Sequence, residues 1–262
     1  MDDAEPLVLL HALGMSPRVW DGVRPWLEPH HRVEALTALG HRGGPAPTRR
    51  PVTIGDLVDA AERALDERRV GQAHVAGNSL GGWMAIELAR RGRALTACAL
   101  SPAGSWTAGS VEQTAGVRKI RRAILSARLS GPLPMSLLLR SALVRRLTFR
   151  DFARHGDRLT AAQVAEATRD LLDCAVADDV LSTSEEIAPL DPLTCPVTLA
   201  WSGDDAVLPI AVNGAVARAR LPQARFVVLG GVGHVPMIDD PEQVAGTILE
   251  TTGAAAEGGD GA

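Results

Sequence analysis

Short apolar runs bounded by turn residues alternate along this chain with stretches of helical periodicity. Six runs predict strands: Pro6–His11, Arg32–Leu36, Ala73–Gly77, Leu95–Leu100, Val197–Trp201 and Arg225–Leu229. They are nearly continuous in Val, Leu and Ala, as strands buried on both faces must be. Between them apolar positions recur at helical spacing. The clearest case opens at Thr53 and runs through Leu57, Val58, Ala61 and Leu65, with Asp56 placing negative charge in the first turn, where backbone N–H groups lack partners. This alternation predicts an α/β fold, a mostly parallel sheet of about six strands with helices on both faces.

The alternation lapses between the fourth and fifth strands. Residues 102–191 carry no strand pattern and are rich in Leu, Arg and Ala, which predicts a helical cap inserted into a discontinuous core of residues 1–101 and 192–252. One apolar stripe in this insert comprises Leu133, Leu137, Leu138, Val144 and Leu147, and a second Val164, Ala167, Leu171 and Leu172. Two readings stay open for them, packing against the sheet or lining an acyl-binding pocket. The Gly- and Ala-rich tail, 253–262, is expected to be disordered. No internal repeat is present.

Composition narrows the class. With 262 residues, 46% hydrophobic content and a formal charge of −4, one soluble globular domain is expected. The segment before Pro6 has no basic n-region, and the apolar run Leu7–Leu10 is too short for a signal segment or a membrane span, so a cytoplasmic protein without membrane attachment is expected. Cys98, Cys174 and Cys195 have neither disulfide-framework nor zinc-site spacing and read as buried thiols, with no metal and no cofactor called for. Lys119 is the only lysine and tyrosine is absent, a bias of composition. Near-neutral charge argues against nucleic acid as the main ligand.

The strongest local signal is Gly77-Asn78-Ser79-Leu80-Gly81, with the strand Ala73-His74-Val75-Ala76 before it and a helix predicted over Gly82–Arg90 after it. A serine at a sharp strand-to-helix turn takes a strained backbone conformation, and neighbours without Cβ let strand and helix close around it. The new helix aims free N–H groups at developing negative charge. Such a serine needs a base, and the base needs an acid to hold its tautomer. His234, in Gly230-Gly231-Val232-Gly233-His234, is the candidate base, carried by a glycine-rich loop after the last strand. His155 lies in the insert; His30, His31 and His41 sit in loops, His74 is mid-strand, and His11 ends the first strand, where a structural role is the ordinary one. The loop after Trp201 offers two adjacent candidate acids, Asp204 and Asp205.

Elbow, acid loop and histidine loop together resemble the α/β-hydrolase superfamily over most of the chain. The acid of that superfamily commonly stands four residues before a proline, which selects Asp205 before Pro209; Asp204 is left to cap the following helix or face solvent. The loop His11-Ala12-Leu13-Gly14 matches the superfamily's oxyanion loop, with Ala12 in place of its usual glycine, and the resemblance places the two oxyanion donors at the backbone N–H groups of Leu13 and Leu80. Trp20 and Trp26 are expected to pack the following helix. Only five residues precede Pro6, so the superfamily's usual first two strands are expected to be missing. Similar dehalogenases and epoxide hydrolases use aspartate where this chain has Ser79.

The resemblance thus implies a serine hydrolase acting on an ester, lactone or thioester, with a small-molecule acyl substrate. Asn78 resembles carbon–carbon hydrolases of ring cleavage, and Leu10–Met15 is similar to enol-lactone hydrolases. A ligand receptor and a cofactor-free lyase on the same fold are the readings from other classes. From Arg118 to Arg158 eleven basic residues face two acids, Asp151 and Asp157. This basic cap reads either as a solvated face or as a surface for an anionic partner such as an acidic carrier protein.

Overall fold

The computed structural model describes residues 4–130 and 138–254. The six expected strands are present: β1 (Pro6–Leu10), β2 (Arg32–Leu36), β3 (Ala73–Asn78), β4 (Ala94–Leu100), β5 (Val197–Ser202) and β6 (Arg225–Leu229). They form one parallel sheet in the order β2-β1-β3-β4-β5-β6. Two-residue periodicity sorts their side chains. Val8, Leu10, Val75, Ala97, Ala99, Leu199 and Trp201 enter one core, while Leu7, Leu9, Ala76, Cys98, Leu100 and Ala200 enter the other. Both faces are therefore apolar, and both are covered by helices.

The first core lies under α2 (Ile54–Glu67) and α3 (Leu80–Arg90), the second under α1 (Arg24–Leu27) and the C-terminal helix Pro241–Thr252. Thr53 opens α2 through a reciprocal capping box: its Oγ1 accepts from Asp56 N at 3.2 Å, and Asp56 Oδ2 accepts from Thr53 N at 2.9 Å. Helix α3 begins two residues before its predicted start and is buried along nearly its whole length. Strand order reverses between β1 and β3, since the chain leaves β1 for β2 on one side and returns to β3 on the other. A crevice opens at such a switch point beyond the carboxyl ends of the strands.

Between β4 and β5 the described residues hold helices and turns and no strand: α4 (Val111–Ser130), α5 (Ala142–Phe149), α6 (Ala161–Leu172) and α7 (Ala177–Leu181). Beyond β5 come α8 (Ala215–Arg220), α9 (Pro236–Asp239) and α10 (Pro241–Thr252), the last closed by Gly253 at φ 87°. The remaining tail expected to be disordered, 255–262, lies outside the described residues, as do Leu133 and Leu137 of the first stripe. Among the described residues no helix is long and apolar enough to cross a membrane.

Three local expectations need correction. Trp20 is fully buried, whereas Trp26 is 46% exposed, because α1 is a single turn and turns that ring outward. Leu138 and Leu147 are more than half exposed and do not pack on the sheet. Cys98 and Cys174 are buried thiols, but Cys195 is only half-buried, in the loop before β5. Burial pushes the Cys98 thiol up to about 12. Replacing Thr53 by alanine removes one half of the α2 capping box, and should cost about 1 kcal/mol and lower the thermal midpoint by about 2–4 °C. A midpoint unchanged in calorimetry would mean that the cap contributes nothing to α2.

Candidate active site

Ser79 occupies the turn between β3 and α3 with φ 55° and ψ −112°, a conformation that costs an ordinary residue roughly 1–3 kcal/mol. Its backbone is tied on both sides. The N–H donates to Leu100 O at 2.9 Å at the end of β4, and the carbonyl accepts from Trp83 N at 3.0 Å and Ala103 N at 2.9 Å. The flanking glycines are required by close approach. A Cβ on Gly77 would overlap the backbone of Gly81, and one on Gly81 would overlap the carbonyls of Leu10 and His11. The turn is thus wedged against the end of β1, and Ser79 sits at the topological switch point.

The loop after β1 lies beside it. His11 is buried at the end of β1, its Nδ1 donating to Ala12 O at 2.9 Å and its Nε2 accepting from Ala38 N at 3.1 Å. His41 Nε2 accepts from Gly14 N at 3.1 Å, and the two imidazoles meet edge-on with centroids 4.8 Å apart. Between these supports, the N–H of Leu13 meets no protein acceptor among the described residues. The same holds for the N–H of Leu80, the first residue of α3.

The two neighbouring aspartates have separate environments. Asp205 has a fully buried side chain; its Oδ1 accepts from Val207 N at 2.9 Å and Leu208 N at 2.7 Å, and its Oδ2 accepts from His234 Nδ1 at 2.8 Å. Asp204 points outward and pairs with Arg154 at 2.8 Å. With Nδ1–H donating to Asp205, the neutral form of the His234 imidazole has its lone pair on Nε2, and His234 and Ser79 line the same cavity.

Two buried side chains hold the histidine loop. Asn78, next to the serine, donates through Nδ2 to His234 O at 2.9 Å and to Leu100 O at 3.2 Å. Asp239 Oδ2 accepts from Gly233 N at 2.7 Å and Arg154 N at 2.9 Å, while its Oδ1 accepts from His155 N at 2.7 Å. Val235 N adds a bond to Phe152 O at 2.8 Å, so the loop is bound to the segment that joins α5 to α6.

A cavity of about 390 Å³ opens over Ser79 and His234, roofed by α4, α5 and α6. Ile120, Leu139, Leu147, Phe149, Val164 and Leu171 give it an apolar wall. The two insert stripes therefore resolve in favour of a pocket lining at Val164, Ala167, Leu171 and Leu147. A second space of about 40 Å³ meets Ser79 from the side of Leu80, Trp106 and Val117. Among the described residues no cluster of three or more His, Cys, Asp or Glu is placed to hold a metal ion.

Residues 7–247 match the model of the alpha/beta hydrolase family. The chain belongs to that family. It is 30% identical over 199 residues to the epoxide hydrolase EphH of Mycobacterium tuberculosis, covering 72% of this chain and 89% of that one. It is 29% identical to the pimeloyl-[acyl-carrier protein] methyl ester esterase of Aromatoleum aromaticum over 91% of this chain and 94% of that one. Among solved structures it resembles an enol-lactonase from Burkholderia xenovorans, with TM-score 0.70, 21% identity and coverage of 95% and 91%. This last likeness is one of fold.

For this alpha/beta hydrolase, the structure brings together Ser79, Asp205, His234, Leu13 and Leu80, all named from sequence. Asn78, His41 and Asp239 were missed as parts of the site. Asn78 lay inside the motif and His41 two residues from a glycine pair, but nothing in sequence distinguishes Asp239 from a surface acid. Burial holds His11 down at about 3, with neighbouring His41 adding to the effect, and burial also lowers His41. His31, at the opposite end of the sheet, is lowered by burial and by His74. In the unfolded chain these imidazoles take up protons near pH 6.5, in the fold only at lower pH, His11 at about 3. Their contribution to stability is therefore complete above about pH 6.5 and is lost as pH falls below it, for His11 down to about 3. The thermal midpoint should drop between pH 7 and pH 5, before most carboxylates titrate; a flat midpoint across that window would contradict the buried neutral pair.

Proposed function

We propose that this hydrolase cleaves carboxylic-ester-type bonds, lactones and thioesters included, through an acyl-serine intermediate. Ser79 is the nucleophile, His234 its base, Asp205 the residue that orients the base, and the N–H groups of Leu13 and Leu80 the oxyanion donors. The observation that carries this reading is the buried 2.8 Å bond from His234 Nδ1 to Asp205, beside a serine held at φ 55° on the same cavity.

In the first step Ser79 Oγ attacks the substrate carbonyl carbon while His234 Nε2 takes the hydroxyl proton. The carbonyl oxygen becomes an oxyanion between the Leu13 and Leu80 N–H groups, where loss of one donor typically costs about 10²–10³ in rate. Collapse breaks the bond to the leaving group, and the imidazolium returns its proton to that group as it departs. Water then attacks the acyl-serine with the same base, which releases the carboxylic acid and restores Ser79. Asp205 is held by the Val207 and Leu208 N–H groups on one oxygen and stabilises the imidazolium with the other.

A serine at position 79 favours acyl chemistry over epoxide opening, for which similar enzymes carry aspartate at the elbow. The curated relative from Aromatoleum aromaticum is named for cleaving a methyl ester, which accords with this reading. The carbon–carbon reading had rested on Asn78, whose amide bonds to His234 O and Leu100 O and is fully buried. That gives Asn78 a structural task independent of the bond cleaved.

A fluorophosphonate should label one serine per chain, and the label should vanish in Ser79→Ala and in His234→Ala. Asp205→Asn should lower kcat by about 10⁴-fold, while Asp204→Asn, which removes a surface ion pair, should stay within about fivefold. A chain that resists labelling yet binds apolar esters tightly would overturn the enzyme mechanism.

A further inference from the structure

Lys119 is the only lysine of this chain, whose other permanently cationic side chains are all arginine. That one lysine lines the cavity shared by Ser79 and His234. It projects from α4, half-buried, and its ammonium donates to the carbonyl of Ala206, the residue after Asp205. Two of its three N–H donors remain for another partner.

Besides His234, four ionisable side chains belong to the cavity wall: Lys119, Arg122, Arg150 and Asp151. Asp151 is taken by Arg122 at 2.5 Å. Among the described residues, no carboxylate pairs with Lys119 or with Arg150 at the exposed rim. A chamber with a largely apolar wall thus carries positive charge that no carboxylate among the described residues offsets, an arrangement that disfavours a purely apolar guest and rewards an anionic one. An ammonium suits the inner position. It is a compact charge with rotatable donors that reaches a carbonyl and an anion together, whereas a guanidinium presents a fixed planar fork.

We propose that the substrate bears a free carboxylate besides its ester: its apolar body fills the chamber and its carboxylate meets Lys119, with Arg150 at the entrance. The ester chemistry in this statement rests on the acyl-serine reading, but the anion site does not. Lys119 is accordingly a specificity-determining residue of this hydrolase.

The two can be tested apart. Calorimetry on the Ser79→Ala protein would compare monomethyl suberate with methyl octanoate, which match in chain length and differ in the terminal carboxylate. The anionic ester should bind about tenfold more tightly at low salt, with the difference narrowing as salt screens it. Adding Lys119→Met should erase the preference, while Lys119→Arg, which keeps the charge and checks that the fold tolerates substitution there, should retain most of it. Equal affinities, no measurable binding of monomethyl suberate, or a preference that survives Lys119→Met would each overturn the anion site. Turnover is read separately with the native protein. A preference for the anionic ester without hydrolysis of either would remove the acyl-serine reading and leave the site standing.

Discussion

The close approach of the β3–α3 turn to the end of β1 is the constraint around which the rest is arranged. Gly81 lies so near the carbonyls of Leu10 and His11 that no side chain fits, and Gly77 lies equally near Gly81. A turn this tight forces Ser79 to positive φ, and the bonds to Leu100 O, Trp83 N and Ala103 N hold it there. The same contact brings the free N–H of Leu80 alongside the loop that carries Leu13. Strain at one residue, offset by packing of the whole sheet, thereby sets Ser79 beside the free N–H groups of Leu13 and Leu80. Neither core could relax that turn without moving β1 against β3.

From that fixed point the site grows by backbone bonds more than by side-chain contact. The acid loop is fastened to the histidine loop by Gly203 N on Leu229 O at 2.8 Å and Asp204 N on Val232 O at 3.1 Å. Asn78 returns from the elbow to His234 O, which closes the circuit. On the other flank, Asp170 of α6 accepts from Ser16 Oγ and from Arg42 Nε, each at 2.6 Å, and so ties the roof of the cavity to the loop after β1. The cavity roof therefore grips both edges of the site, and its shape is coupled to the geometry of the donors beneath it.

Much of this was legible in the sequence. The six strands came from continuous apolar runs, and Ser79 and His234 from loops whose glycines have few other uses. Asp205 needed a comparison with a family's spacing, because adjacent aspartates are equivalent until a fold turns one inward; the structure separates them by burial and by the ion pair of Asp204 with Arg154. Helical periodicity marked the stripes that fall on α5 and α6 but left open what their apolar faces covered. An insert that faces a cavity and one that faces a sheet share the same stripe. Trp26 misled because its one-turn helix buries Leu27 alone and is too short for periodicity to show which side faces the core. Asp239 was invisible for a deeper reason, since its partners are three main-chain N–H groups, which have no sequence identity at all.

That carboxylate also sets how the molecule can be taken apart and rebuilt. Gly233 belongs to the loop of His234, and Arg154 and His155 belong to the connection from α5 to α6, yet all three converge on Asp239. The roof and the His234 loop are spliced at one carboxyl group. A chimaera that exchanged the helical roof for another at its sequence boundaries would cut this splice and leave a buried carboxylate with one of its three donors. Only roofs that present two consecutive N–H groups at the same place are interchangeable modules for this site, and a grafted specificity would have to import residues 152–155 along with the pocket wall.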